Sequence, residues 1–131
     1  MPRGGVDFEG ISAEYVTVQA HGSVNSVALA SGAAAVEGKA VTVTGNGQMG
    51  YGSAGAPLRG IIQKYEGDGY MTVQIRGYKT APGVSGALPT AGDFLCVNGA
   101  GAVSKVASGN AGPAYAVSVD NAANTVMVFI G

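Results

Sequence analysis

The side chains able to do chemistry in this 131-residue chain are few and scattered. There is one histidine, His21, beside Gly22, and one cysteine, Cys96, inside the run Phe94-Leu95-Cys96-Val97. Thiol and imidazole are the parts of a Cys/His nucleophile pair, which needs both groups in hydrogen-bond reach. Nothing in their spacing supports such a pair. A lone loop His reads as a polar loop residue, and a Cys in an apolar strand behaves as a small hydrophobe. A single cysteine also excludes an internal disulfide framework. The carboxylates are Asp7, Glu9, Glu14, Glu37, Glu66, Asp68, Asp93 and Asp120. Glu66 and Asp68 are close, but Gly67 and Gly69 around them mark a turn rather than an acid/base pair in a cleft. One His, one Cys and dispersed acids make a poor metal set, so neither a metal nor a cofactor is expected, and the chain reads as non-enzymatic.

One match is deceptive. Gly45-Asn46-Gly47-Gln48-Met49-Gly50 fits G-x-G-x-x-G and follows a strand-forming run. Dinucleotide binding requires a helix N-terminus directly afterwards, to hold the pyrophosphate. Tyr51-Gly52-Ser53-Ala54-Gly55-Ala56-Pro57 follows instead and cannot form one. In a chain with 23 glycines the match reads as hairpin turn and loop.

The elements around these residues are strands. Tyr15–Gln19 and Ala40–Thr44 alternate apolar and polar residues and are rich in β-formers. Val24–Ala30 is a weaker strand candidate. Leu58–Glu66 and Tyr70–Arg76 flank an Asp68-Gly69 turn, and the second run places Met71, Val73 and Ile75 on one face and Tyr70, Thr72, Gln74 and Arg76 on the other. Asn46-Gly47 and Asp68-Gly69 are tight-hairpin pairs. Asp93–Val97 and Ala102–Val106 flank the turn Asn98–Gly101. Pro113–Val119 and Thr125–Ile130 flank Asp120–Asn124, and the last strand is apolar enough for both of its faces to be buried. Ser31–Val36 is the one helix-compatible stretch, worth a single turn. Short strands at roughly 10-residue spacing predict an all-β fold, a compact β-sandwich or barrel-like domain of short strands and hairpins.

Residues 1–12 read as an extended N-terminal arm, broken by Pro2, Gly4, Gly5 and Gly10 but carrying apolar Val6, Phe8 and Ile11. The arm docks either on a neighbouring subunit or on its own domain, residues 13–131. The chain begins without an apolar signal segment, so secretory export is not expected. No apolar run approaches the ~20 residues that span a bilayer.

Composition points to assembly. Only 11% of residues are charged, against a typical ~25%, and mean hydropathy is +0.25. A surface built of Gly, Ala, Ser, Thr and Asn suits burial against copies or a partner. The alternative is a Gly-rich, loop-rich monomer. Net charge is −1 with seven Lys and Arg spread singly, which argues against nucleic-acid and anionic-membrane binding. Tyr51, Tyr65, Tyr70, Tyr78 and Tyr115 are amphipathic anchors of the kind enriched at interfaces, or else the edge of the core.

From Val73 onward the motifs run in this order: Val73-Gln74-Ile75-Arg76-Gly77, Tyr78-Lys79-Thr80-Ala81, Ala87-Leu88-Pro89-Thr90-Ala91-Gly92-Asp93-Phe94-Leu95-Cys96-Val97, the hairpin through Asn98-Gly99-Ala100-Gly101, then Ala114-Tyr115-Ala116-Val117-Ser118-Val119 and a final strand. Ala-Gly-Asp makes a tight turn, in which Asp bonds local backbone. This series resembles the small bacteriophage capsid decoration (cement) proteins over residues 13–131. The resemblance implies a β-rich domain that trimerises on the outside of a phage head, bridges major capsid protein subunits and stabilises the shell, with no catalytic residues. It implies a virion location and leaves the arm outside the shared core. The candidate capsid or inter-subunit contacts are then Arg3, Val6, Phe8 and Ile11 on the arm, with Tyr51, Tyr65, Tyr70 and Tyr78 on the domain. Rival readings are a phage head-fibre or tail module that recognises a host surface ligand, a small hydrolase, and a cellular β-sandwich subunit.

Overall fold

The structure is a computed structural model and describes residues 13–106 and 114–131. The candidate contacts Arg3, Val6, Phe8 and Ile11 lie outside the described residues. The chain runs β1 (Glu14–Ala20), α1 (Gly22–Ser31), a 3-10 turn (Ala33–Ala35), β2 (Ala40–Gly45), β3 (Gln48–Gly50), β4 (Gly60–Tyr65), β5 (Tyr70–Pro82), β6 (Leu95–Val97), β7 (Val103–Lys105), β8 (Ala114–Asp120) and β9 (Thr125–Ile130). The fold is all-β with one helix. Hydrogen bonding runs β1–β3–β2–β4–β5, and β5 also pairs with β1, so these five strands close into a barrel. The β1–β3 pair is parallel and the rest are antiparallel.

β5 is 13 residues long because it serves two sheets. Its first half pairs with β1 and β4, and from Gly77 onward it pairs with β9, which in turn pairs with β8. Gly77 has φ +98°, a conformation that other residues adopt only with strain, and so marks the bend between the two halves. The Gln74 side chain clamps this bend: its Nε2 donates to the carbonyls of Arg76 (3.0 Å) and Tyr78 (3.1 Å). Alternation along the strand placed Gln74 on the polar face. It is instead 1% exposed, because the outside of the barrel here is covered by the C-terminal sheet.

Two apolar clusters result. The barrel cluster holds Val41, Met49, Ile62, Met71 and Val73, closed by Val24 and Ala28 of α1. The second holds Ala40, Leu58 and Ile61 against Leu95, Val97 and Val103 of the β6–β7 hairpin and Ala114, Ala116, Val126, Val128 and Ile130 of β8 and β9. Neighbouring residues of one strand therefore serve opposite clusters, Ala40 and Val41 on β2, Ile61 and Ile62 on β4. Over residues 40–42 and 60–62 these two strands form a wall buried on both sides, whereas their second halves expose Val43, Gln63 and Lys64.

The segment Val24–Ala30, expected as a strand, is helical. Its β-branched valines are outweighed by tertiary contacts, since Val24 and Ala28 lie one turn apart and both enter the core. Polar side chains fix the helix in place. His21 Nδ1 accepts the Ser23 amide at 3.0 Å as an N-cap, Asn25 donates to the Ala20 carbonyl at 2.9 Å, and Ser23 Oγ accepts the Tyr51 amide at 3.2 Å. The single helical turn expected within Ser31–Val36 is the 3-10 turn.

Candidate functional site

The G-x-G-x-x-G match is the β2–β3 hairpin, as its turn chemistry predicts. Gly50 serves packing: a Cβ there would meet His21 Cβ at 2.5 Å, so glycine lets the cap of α1 sit directly on β3. His21 is thus a helix cap. Cys96 lies on β6 opposite Ser104 of β7, with Sγ 3.8 Å from the Lys105 carbonyl. Burial pushes its thiol pKa up, opposed by a backbone hydrogen bond at Gly55. Alkylation of Cys96 by iodoacetamide at pH 8 is therefore expected to run about tenfold or more slower in the native protein than in the unfolded chain. Equal rates would contradict the placement.

The described acids act as braces. Asp68 Oδ1 accepts the Tyr70 amide, Asp93 Oδ2 accepts the Thr90 amide at 2.7 Å, and Asp120 Oδ1 accepts the amides of Ala122 and Ala123. Glu37 and Glu66 accept from the Tyr65 amide and the Thr72 hydroxyl. Glu14 and Arg76 form an exposed ion pair at 3.7 Å, a contact of the kind worth little. Among the described residues no three metal-ligating side chains come together, and no helix is long and apolar enough to cross a membrane.

The tyrosines separate into classes that the sequence left open. Tyr51 is a core side chain, 7% exposed, and desolvation raises its phenol pKa. It drops out as a contact candidate, because its ring packs inside the barrel cluster. Tyr65 is half-buried and donates its hydroxyl to Asn25 Oδ1 at 2.6 Å, tying β4 to the helix. Tyr70 is exposed, as is Tyr15 on the neighbouring strand.

Tyr78 belongs to a row that crosses the outer face of the C-terminal sheet. In register, Tyr78 of β5 faces Phe129 of β9, which faces Tyr115 of β8. Ring centroids lie 4.8 Å and 5.5 Å apart, tilted by 50° and 52°. Such pairs add about 0.5–1.5 kcal/mol each beyond burial. The Ala-Gly-Asp turn adds a fourth ring. With Asp93 bracing it, its backbone bonds β8 through Gly92 N to Ala116 O and Ala116 N to Asp93 O, and this sets Phe94 opposite Tyr115. Phe94 and Tyr115 are 42% and 37% exposed. Sequence reading named Tyr78 and Tyr115 but missed the row, which exists only through cross-strand register.

A second surface is α1 itself. No charged residue occurs from Gly22 to Val36, and Ser26, Leu29 and Ala30 face outward, Leu29 at 86% exposure. A surface helix ordinarily carries charged and polar residues on its outer face. No protein-family model matches this chain, and no curated protein matches it.

Proposed function

We propose that this protein is a structural, non-enzymatic capsid decoration protein that binds the outside of a phage head and bridges major capsid subunits, acting as a homotrimer. The observation that carries this reading is the charge-free outer face of α1 with Leu29 at its centre, a surface built to be desolvated against a protein neighbour. Tyr15 of β1 and Tyr70 of β5, each exposed, offer the domain further contact points on other strands, as a bridging protein needs. Contacts that are modest singly become strong when three linked copies engage the shell together. The apolar residues of the arm, Val6, Phe8 and Ile11, extend that grip. Neither nucleic acid nor membrane is a partner in this reading.

The test is quantitative mass spectrometry of purified virions. Roughly one copy per major capsid subunit, as a closed symmetric lattice dictates, supports decoration. A few tens of copies per particle favours the second reading, a head-fibre or tail module recognising a host surface ligand, for which the exposed rings of Phe94 and Tyr115 speak. Absence from virions removes both.

A further inference from the structure

The outer face of the C-terminal sheet is organised in rows by strand register. Beside the aromatic row Tyr78–Phe129–Tyr115 lies Thr80–Met127–Ser118, and the row beyond holds Thr125 and Asp120. Successive rows are about 6.8 Å apart, two residues along a strand. Over the second and third rows is a concavity of ≈ 210 Å³ lined by Thr80, Ser118, Val119, Asp120, Asn121, Thr125 and Met127. Met127 is 3% exposed and forms an apolar floor. Hydroxyls of Thr80, Ser118 and Thr125, the Asn121 amide and the Asp120 carboxylate form the rim. Asp120 is held rigid because its Oδ1 braces the β8–β9 turn, which leaves Oδ2 to accept. Asp120 is the sole charged side chain of the lining.

We propose that this face binds a neutral carbohydrate, with one pyranose in the concavity and the adjoining units stacked along the aromatic row. A pyranose presents C–H groups on its flat face and hydroxyls around its edge. An apolar floor with a rim of hydroxyl, amide and carboxylate groups matches that division, and the exposed rings of Tyr115 and Phe94, with Phe129 and Tyr78 half-buried beside them, match the C–H faces of further units. The concavity is smaller than the ~300–1,000 Å³ of a drug-sized site, which suits a single sugar ring. A protein partner would be served by the rings but has no use for the polar notch beside them. This inference stands on the C-terminal sheet alone and does not depend on α1 meeting a capsid.

The experiment is a titration of the full-length ¹⁵N-labelled protein with maltohexaose, cellohexaose and chitohexaose, followed by amide chemical shifts. At least one sugar is expected to shift Thr80, Tyr115, Ser118, Asp120 and Met127 with a Kd of roughly 1 mM, the range of few-contact sites. Tyr115→Ala and Asp120→Asn are each expected to weaken binding about tenfold, which is ~1.4 kcal/mol. Both replace partly exposed side chains, and circular dichroism checks that each variant stays folded. No shifts on this face from any of the three sugars at roughly 10 mM, or undiminished binding in both variants, overturns the proposal. Shifts of the same amides on raising protein concentration without sugar also overturn it, since they assign the face to a second copy of the chain.

Discussion

Replacing Gln74 with Glu is expected to cost about 3–5 kcal/mol at neutral pH, the penalty for an uncompensated buried charge, out of a total of about 5–15 kcal/mol for a domain. Gln74 is 1% exposed and donates to two carbonyls across the Gly77 bend. A carboxylate at that position has no proton to donate and sets negative charge against both carbonyl oxygens. Burial and those oxygens raise its folded-state pKa above the ~4.3 of an unfolded Glu. The variant is thus least handicapped below pH ~4.3 and loses stability as pH climbs through the raised value. Denaturant melts of wild type and Gln74→Glu between acid and neutral pH check this. The gap in stability should widen with rising pH, and a gap that is flat or narrows would show that the side chain is not buried at the bend.

The second large effect is on assembly. Leu29→Glu is expected to leave stability within about 0.5 kcal/mol, as for most surface substitutions, and, under the proposed capsid role, to abolish binding to expanded phage heads that lack the protein. If α1 is desolvated against a neighbour, an unpaired charge there costs about 2–5 kcal/mol per contact, repeated in each copy of a trimer. Co-sedimentation with such heads measures it. Wild-type binding by a folded Leu29→Glu protein would remove α1 from the interface.

Much of the fold was legible where local chemistry and tertiary context agree. The Asp68-Gly69 turn joins the strands expected on either side, Asn46-Gly47 turns β2 back into a short strand, Gln48–Gly50, that reads as loop in the sequence, and the last strand spans Thr125–Ile130 as read, with both faces engaged. Asp93 braces its turn as the Ala-Gly-Asp pattern implies. The misreadings occur where context overrides local signal. Val24 and Val27 look like strand residues, yet the barrel end needs a lid, and His21, an unconventional cap, starts a helix there. Gln74 alternates as a solvent-facing residue, and only the sheet folded back from Gly77 buries it. The aromatic row joins residues from three strands and a turn, so no window of sequence contains it.

Closure of the barrel also sets an order of events during synthesis. β1 is the first of the described strands to be made, but its main partner is the first half of β5, with Glu14 opposite Arg76, and it shares only two register pairs with β3. Until the ribosome has delivered some sixty further residues, β1 is a strand without a sheet, and loop-closure entropy makes such distant pairing slow. An unpaired apolar strand in a crowded cell invites aggregation. Glu14, Thr17 and Gln19, interleaved with Tyr15, Val16 and Val18, act as gatekeepers through that interval. The growing chain depends on them before any contact of the finished fold exists.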